Sequence, residues 1–138
     1  MTDGWDRVRP EELSAREGKP GTRWELSPAL GIDRFNLNVA VLEPGERLSQ
    51  SHFHYHEDQS ELVYVAEGRV RVEVDDDRFV AERDNVVRFD AGPDGVHLVY
   101  NPFDEASRVV AIGWPPEGRH PVRTVRESDD LLADRAEE

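Results

Sequence analysis

The sequence predicts an all-β domain, a barrel or sandwich built from many short strands. One observation behind this is alternation with a period of two. In FNLNVAVL, Phe35, Leu37, Val39 and Val41 share one face while Asn36 and Asn38 share the other. In GRVRVEV, Val70, Val72 and Val74 oppose Arg69, Arg71 and Glu73. A second observation is punctuation: Gly, Pro or Asp separates NVVRF, GVHLVYN and SRVVAIG, and the acidic turn Asp75-Asp76-Asp77 joins GRVRVEV to RFVAE as a hairpin. The third is that no convincing helical period interrupts this series.

Taken in order, the first thirty or so residues are rich in Pro, Gly and charge. Pro10-Glu11-Glu12-Leu13 suits a short helical turn, with proline at its first position and acids in its first turn. The rest of that segment reads as extended or irregular, with Trp5 and Trp24 expected to pack it onto the larger body. Residues 31–115 form the expected barrel, residues 1–30 an N-terminal extension, and residues 116–138 a tail. Within the tail, Ser128 with Asp129 and Asp130 could cap a short helix, and a frayed end is the competing expectation. Leu62 to Ala66 and Val109 to Ile112 are apolar on both faces, so they need a second sheet or a second subunit to cover them. A homodimer is the expectation.

At 138 residues the chain is long enough to bury a core as one domain. It has no cysteine, which excludes disulfides, thiolate metal sites and thiol catalysis. The start, MTDGWDRVRPEELSAREGKPG, contains no apolar stretch like a signal peptide, and no run is long enough to cross a bilayer. A soluble cytoplasmic protein is therefore expected. Thirty acidic residues face seventeen Lys and Arg, the net charge is −13, and Lys19 is the one lysine. Such a surface repels nucleic acid and anionic membrane, and its composition resembles that of halophilic proteins.

The chemistry concentrates in SHFHYHEDQSELVYVAEG, residues 51–68. Residues two apart on a strand point the same way with alpha carbons about 6.6 Å apart, so a His-x-His pair aims two imidazoles at one point. His52, His54 and His56 share a parity, and the residues alone leave the pairs 52/54 and 54/56 both open. Glu61, after the turn at EDQS, can return its carboxylate to the same point, with Val63 and Val65 continuing its face. His97 sits on a separate strand. Three imidazoles and a carboxylate suit Fe, Mn, Zn, Ni or Co as the divalent metal and leave positions open at a six-coordinate ion. The competing reading is a solvated edge strand and a hydrogen-bonded core histidine.

His54-x-His56, four residues, Glu61, six residues and Gly68 resemble the first motif of the cupin superfamily. His97, three residues and Asn101 resemble the end of its second motif, where Asp84 and Asp90 replace a glycine and a proline and the loop before His97 is two residues longer. The leading glycine of the first motif is represented by Gly45, eight residues before His54. The resemblance covers about residues 35–113, and it implies that the N-terminal extension, residues 1–30, crosses to a partner subunit. It implies a double-stranded β-helix, or jelly-roll barrel, with His54, His56, Glu61 and His97 as ligands of a metal in its mouth. By this match His52 lies outside the ligand set, as a surface histidine. Glu57 and Asp58 cap a turn, Asn101 fixes the turn after its strand, and Tyr64, Phe89, Tyr100 and Trp114 belong to core or interface. His120 has no assigned role.

The expected function is a metal-dependent enzyme, dioxygenase-like or isomerase-like, acting on a small organic molecule. The alternative is a non-catalytic module that binds or senses a small ligand, and a weaker option is a metal that merely stiffens a structural dimer. Few general bases stand near the ligands apart from His52 and the acids of EDQS, which favours chemistry done by the metal itself.

Overall fold

The computed structural model describes residues 4–15, 21–49, 53–116 and 122–126. Among the described residues, ten strands form two five-stranded antiparallel sheets packed face to face. One sheet contains β1 (Thr22–Glu25), β2 (Asn36–Leu42), β9 (Ser107–Trp114), β4 (Ser60–Glu67) and β7 (Val86–Phe89), in that spatial order. The other contains β10 (Val122–Arg126), β3 (Phe53–His56), β8 (His97–Tyr100), β5 (Arg69–Val74) and β6 (Arg78–Glu82). This is the jelly-roll architecture that the cupin resemblance implies, and it meets the all-β expectation of the alternating pattern. Among the described residues no helix is long and apolar enough to cross a membrane.

Register explains which residues meet. In the first sheet, Ala40 pairs with Val109, which pairs with Val65, and all three belong to the main core with Leu42, Val63, Val70, Val72 and Val99. Val63 and Val65 therefore continue inward from Glu61 as the parity of β4 predicts. The opposite face of the same sheet carries a second set of apolar rows, Leu37–Ile112–Leu62 and Val39–Val110–Tyr64. The runs that read as apolar on both faces do have apolar side chains on both faces.

Two segments differ from expectation. The stretch before Phe35 is more regular than its composition suggests: besides the turn at Pro10–Glu12, Thr22–Glu25 pairs with β2, and Ser27–Leu30 makes one helical turn, α1. Ser27 ties this turn to β2, donating from Oγ to the Phe35 carbonyl and accepting from the Leu37 amide. Trp24 lies half-buried with the Arg108 guanidinium 5.7 Å from its ring centre, whereas Trp5 is 65% exposed and packs little. Near the other end, Val122–Arg126, read from sequence as part of the tail, forms β10 against β3. Ser128 to Asp130 lie outside the described residues, as do His52 and His120.

The motif departures have a local explanation. Asp84, where the cupin pattern has glycine, adopts a φ of 74°. Aspartate is among the few side chains that tolerate this left-handed region, so the turn keeps its geometry without glycine. The Asp84 carboxylate also accepts a 2.5 Å hydrogen bond from the Tyr64 hydroxyl. Gly68 is less replaceable: at φ 71° an added Cβ would stand 2.7 Å from the Ala106 carbonyl oxygen. Asn101, fully buried, donates from Nδ2 to the carbonyls of Leu42 and Glu105 and accepts from the Phe103 amide, the turn-fixing role its position suggests.

A candidate metal centre in the barrel mouth

The pairing of β3 with β8 sets His54 directly opposite His97, so the two imidazoles share the inward face of one sheet. Their ring centres are 4.7 Å apart, and His56, two residues along, places its ring 5.2 Å from that of His54. Glu61 comes from the facing sheet, on the row Asn36–Gly113–Glu61–Phe89. Its Oε1 lies 2.9 Å from Nε2 of His97. The four residues expected as ligands thus gather at one end of the barrel, around a cavity of about 350 Å³.

His97 is held from three sides. Its Nδ1–H donates to the Gly95 carbonyl at 2.7 Å, and its ring stacks on Phe89 at 3.7 Å with the planes 7° apart. Phe89 reaches this position because it is the register partner of Glu61, so an aromatic residue assigned to core or interface also fixes a site histidine. The longer loop before His97 makes a turn at Pro93–Gly95, where a Cβ on Gly95 would overlap the Asp90 carbonyl. Only glycine lets the loop close and present its carbonyl to His97.

Burial pushes the Glu61 carboxyl upward, but the hydrogen bond from His97 and the charges of His97, His56 and His54 outweigh it. The group is held down at about 2. An ionised carboxylate and a carbonyl are both acceptors only. With one facing each nitrogen, the His97 ring needs a proton on both, or a proton on Nδ1 and a cation at Nε2.

That requirement is a test of whether the residues fit a metal. Two donors each about 2.1 Å from one ion and at right angles to each other lie about 3 Å apart. Nε2 of His97 and Oε1 of Glu61 meet that separation at 2.9 Å. The donor set, imidazole nitrogen with carboxylate oxygen, suits a first-row divalent ion. As placed, no group of three or more His, Cys, Asp or Glu side chains among the described residues could hold an ion. His97 and Glu61 therefore match a coordination edge, while His54 and His56 as placed do not complete a site with them.

The cavity wall also holds residues that sequence reasoning missed. Arg23 and Glu25 line it from β1, Asn36 and Asn38 from β2, and Gln59 from the turn before β4. Glu25 adds a carboxylate to a site whose sequence showed few general bases. The alternation Arg23-Trp24-Glu25 was the available signal, but only the pairing of β1 with β2 decides that the charged face lies on the cavity side, where Glu25 stays exposed.

The cupin domain model matches residues 38–113. This chain belongs to the cupin family. A curated relative, the polyketide synthase CurC of Streptomyces cyaneus, is 32% identical over 112 residues, covering 76% of this chain and 70% of its own length. Among solved structures, a cupin-superfamily sugar phosphate isomerase from Silicibacter pomeroyi superposes with a TM-score of 0.74 at 24% identity, covering 88% of this cupin and 83% of that chain. The polyketide cyclase RemF from Streptomyces resistomycificus gives 0.73 at 24% identity over 91% of this cupin and 89% of its own chain. Bacillus subtilis oxalate decarboxylase, described with Mn(II) centres, gives 0.64 at 18% identity over 92% of this cupin and 35% of that chain. These structural likenesses establish the cupin fold.

Proposed function

We propose that this cupin is a metal-dependent polyketide cyclase, with His54, His56, Glu61 and His97 as the ligands of a divalent ion. The observation that carries the reading is the ionised Glu61 set 2.9 Å from His97 on the wall of a 350 Å³ cavity. The similarity to CurC, supported by the fold of RemF, directs it toward polyketides. The metal, when bound, would polarise a substrate carbonyl and acidify the adjacent C–H.

The protein's own groups then account for the rest. Glu25, the second carboxylate on the cavity wall, accepts the proton from the carbon between two carbonyls. The resulting enolate carbon bonds to a distant carbonyl carbon of the same chain. The π pair of that carbonyl moves to its oxygen, which takes a proton back from Glu25. Loss of water from the new alcohol completes an unsaturated ring. The barrel keeps the two reacting carbons together, which is the larger part of what an intramolecular condensation requires.

Untagged protein, analysed for its metal and incubated with a synthetic poly-β-ketoacyl thioester, should yield a cyclised product lighter by one water by mass spectrometry. Chelation should stop the reaction. Glu25→Gln should slow it about a hundredfold with metal content unchanged. Metal-loaded protein that holds the thioester intact for hours would instead be a binding module, and the cyclase reading would fail.

We further propose that two copies meet through the half-buried apolar row Leu37–Ile112–Leu62 and the neighbouring Val110. Light scattering should give twice the chain mass for the wild type and the single-chain mass for Ile112→Glu. A wild-type monomer would exclude the dimer.

A further inference from the structure

The inward row that carries Glu61 continues across β9 to β2, from Glu61 through Gly113 to Asn36. The next row runs from Val63 through Ala111 to Asn38. Two strand spacings separate Glu61 from Asn36, about 10 Å. Between them the wall has only a glycine and an alanine as its floor; the carboxamide of Gln59 fills the space over Gly113, and Ala111 is the low point between the metal end on one side and two carboxamides on the other. The Gln59 carboxamide lies within 3.0 Å of where a Cβ on Gly113 would stand, and is anchored by donation from Nε2 to the Pro115 carbonyl at 3.1 Å.

This end is poor in cations and carries the carboxylate of Glu25, the register partner of Asn38. Arg23 is the one Lys or Arg on the wall among the described residues, its Nη2 donates to the Leu48 carbonyl at 2.5 Å, and Glu25 lies two residues away on the same face. A phosphate monoester calls for several cationic donors or a helix N-terminus. A carboxamide, by contrast, donates to a keto oxygen and accepts from an enol hydroxyl, so it suits a chain whose oxygens exchange between those forms.

We infer that Asn36 and Asn38, across the floor of Gly113 and Ala111 from Glu61, form the subsite that holds the non-reacting oxygens of the substrate and selects a neutral polyketone over a phosphorylated sugar. The inference deepens the cyclase reading and rests on it. The two residues are specificity-determining: they fix which carbonyl reaches the metal end by holding the next ones along.

Ligand-observed NMR titration of metal-loaded protein tests it with heptane-2,4,6-trione, long enough to span the floor, and pentane-2,4-dione, which occupies the metal end alone. Asn36→Leu and Asn38→Leu should each weaken the trione about fivefold, the worth of one hydrogen bond, and the dione less than twofold. Asn36→Asp and Asn38→Asp keep the shape but lose the N–H donors, and should weaken the trione similarly. Ribose 5-phosphate should not displace it. Metal content and melting temperature, measured on each variant, should match wild type. Trione affinity unchanged in all four variants, equal loss for trione and dione, or displacement by ribose 5-phosphate would overturn the inference while the cyclase reading stands. Failure of the wild type to bind either ketone would overturn both.

Discussion

Replacing Glu61 with alanine is expected to lower divalent-metal affinity about tenfold or more, and His56→Ala to do the same, while His52→Ala changes it little. Glu61 is the proposed ligand from the facing sheet, so its loss would remove the only carboxylate in the proposed set and does remove the partner of Nε2 of His97. Equilibrium dialysis of untagged protein measures the effect. If His52→Ala loses the metal and His56→Ala retains it, the ligand pair is 52/54 and the proposed centre is wrong. The same carboxylate predicts an acid response in the metal-free protein. Its folded value of about 2 lies below the ordinary 4.5, so between these values the unfolded chain binds the proton more readily than the folded one. The stability it contributes is complete above pH 4.5 and is lost as the pH falls toward 2. Urea unfolding across that range should show a flatter loss for Glu61→Gln than for wild type. An identical pH dependence would show that the pair with His97 does not form.

Leu42→Ala is expected to destabilise the fold by about 2–5 kcal/mol and leave the metal site alone. Leu42 is fully buried in the main core and pairs with Ser107 at the far end of β2 from Asn36, six residues or about 20 Å along the strand. Truncation removes buried surface and leaves a cavity that the surrounding valines cannot fill without moving whole strands. Denaturant unfolding should show the midpoint falling at constant slope, with metal affinity within twofold of wild type. A loss below 1 kcal/mol would mean that the inward phase of β2 is misassigned. A parallel loss of metal would mean that mouth and core are not separable.

Much of the barrel was legible because a strand repeats every two residues. β5, its turn and β6, then β7, β8 and β9, follow from alternation and punctuation alone. The inward phase of β4 was likewise readable, since Glu61, Val63 and Val65 share a parity. Strand pairing was not readable. Nothing in FNLNVAVL says that its asparagine face turns into the cavity while Leu37 and Val39 lie on the outer side, because both choices bury some apolar surface. Register with β9 decides it, by setting Asn36 against Gly113 and Asn38 against Ala111. β1 and β10 were missed for a related reason: each is short, charged and flanked by Pro or Gly, and each is held by its neighbour more than by its own propensity.

By itself, the sequence determined the class of fold and the donor chemistry, since His-x-His, the following glutamate and the separate histidine need no partner strand to state which atoms they offer. Tertiary structure alone decided what those atoms face: the His97–Glu61 contact across two sheets, the Phe89 ring behind it, and a wall of carboxamides with Glu25 beside Asn38 on the neighbouring strand. The reason is range. Side-chain parity is set by the local backbone, whereas convergence depends on pairings between residues as distant as Glu61 and Gly113, and no local interaction specifies them.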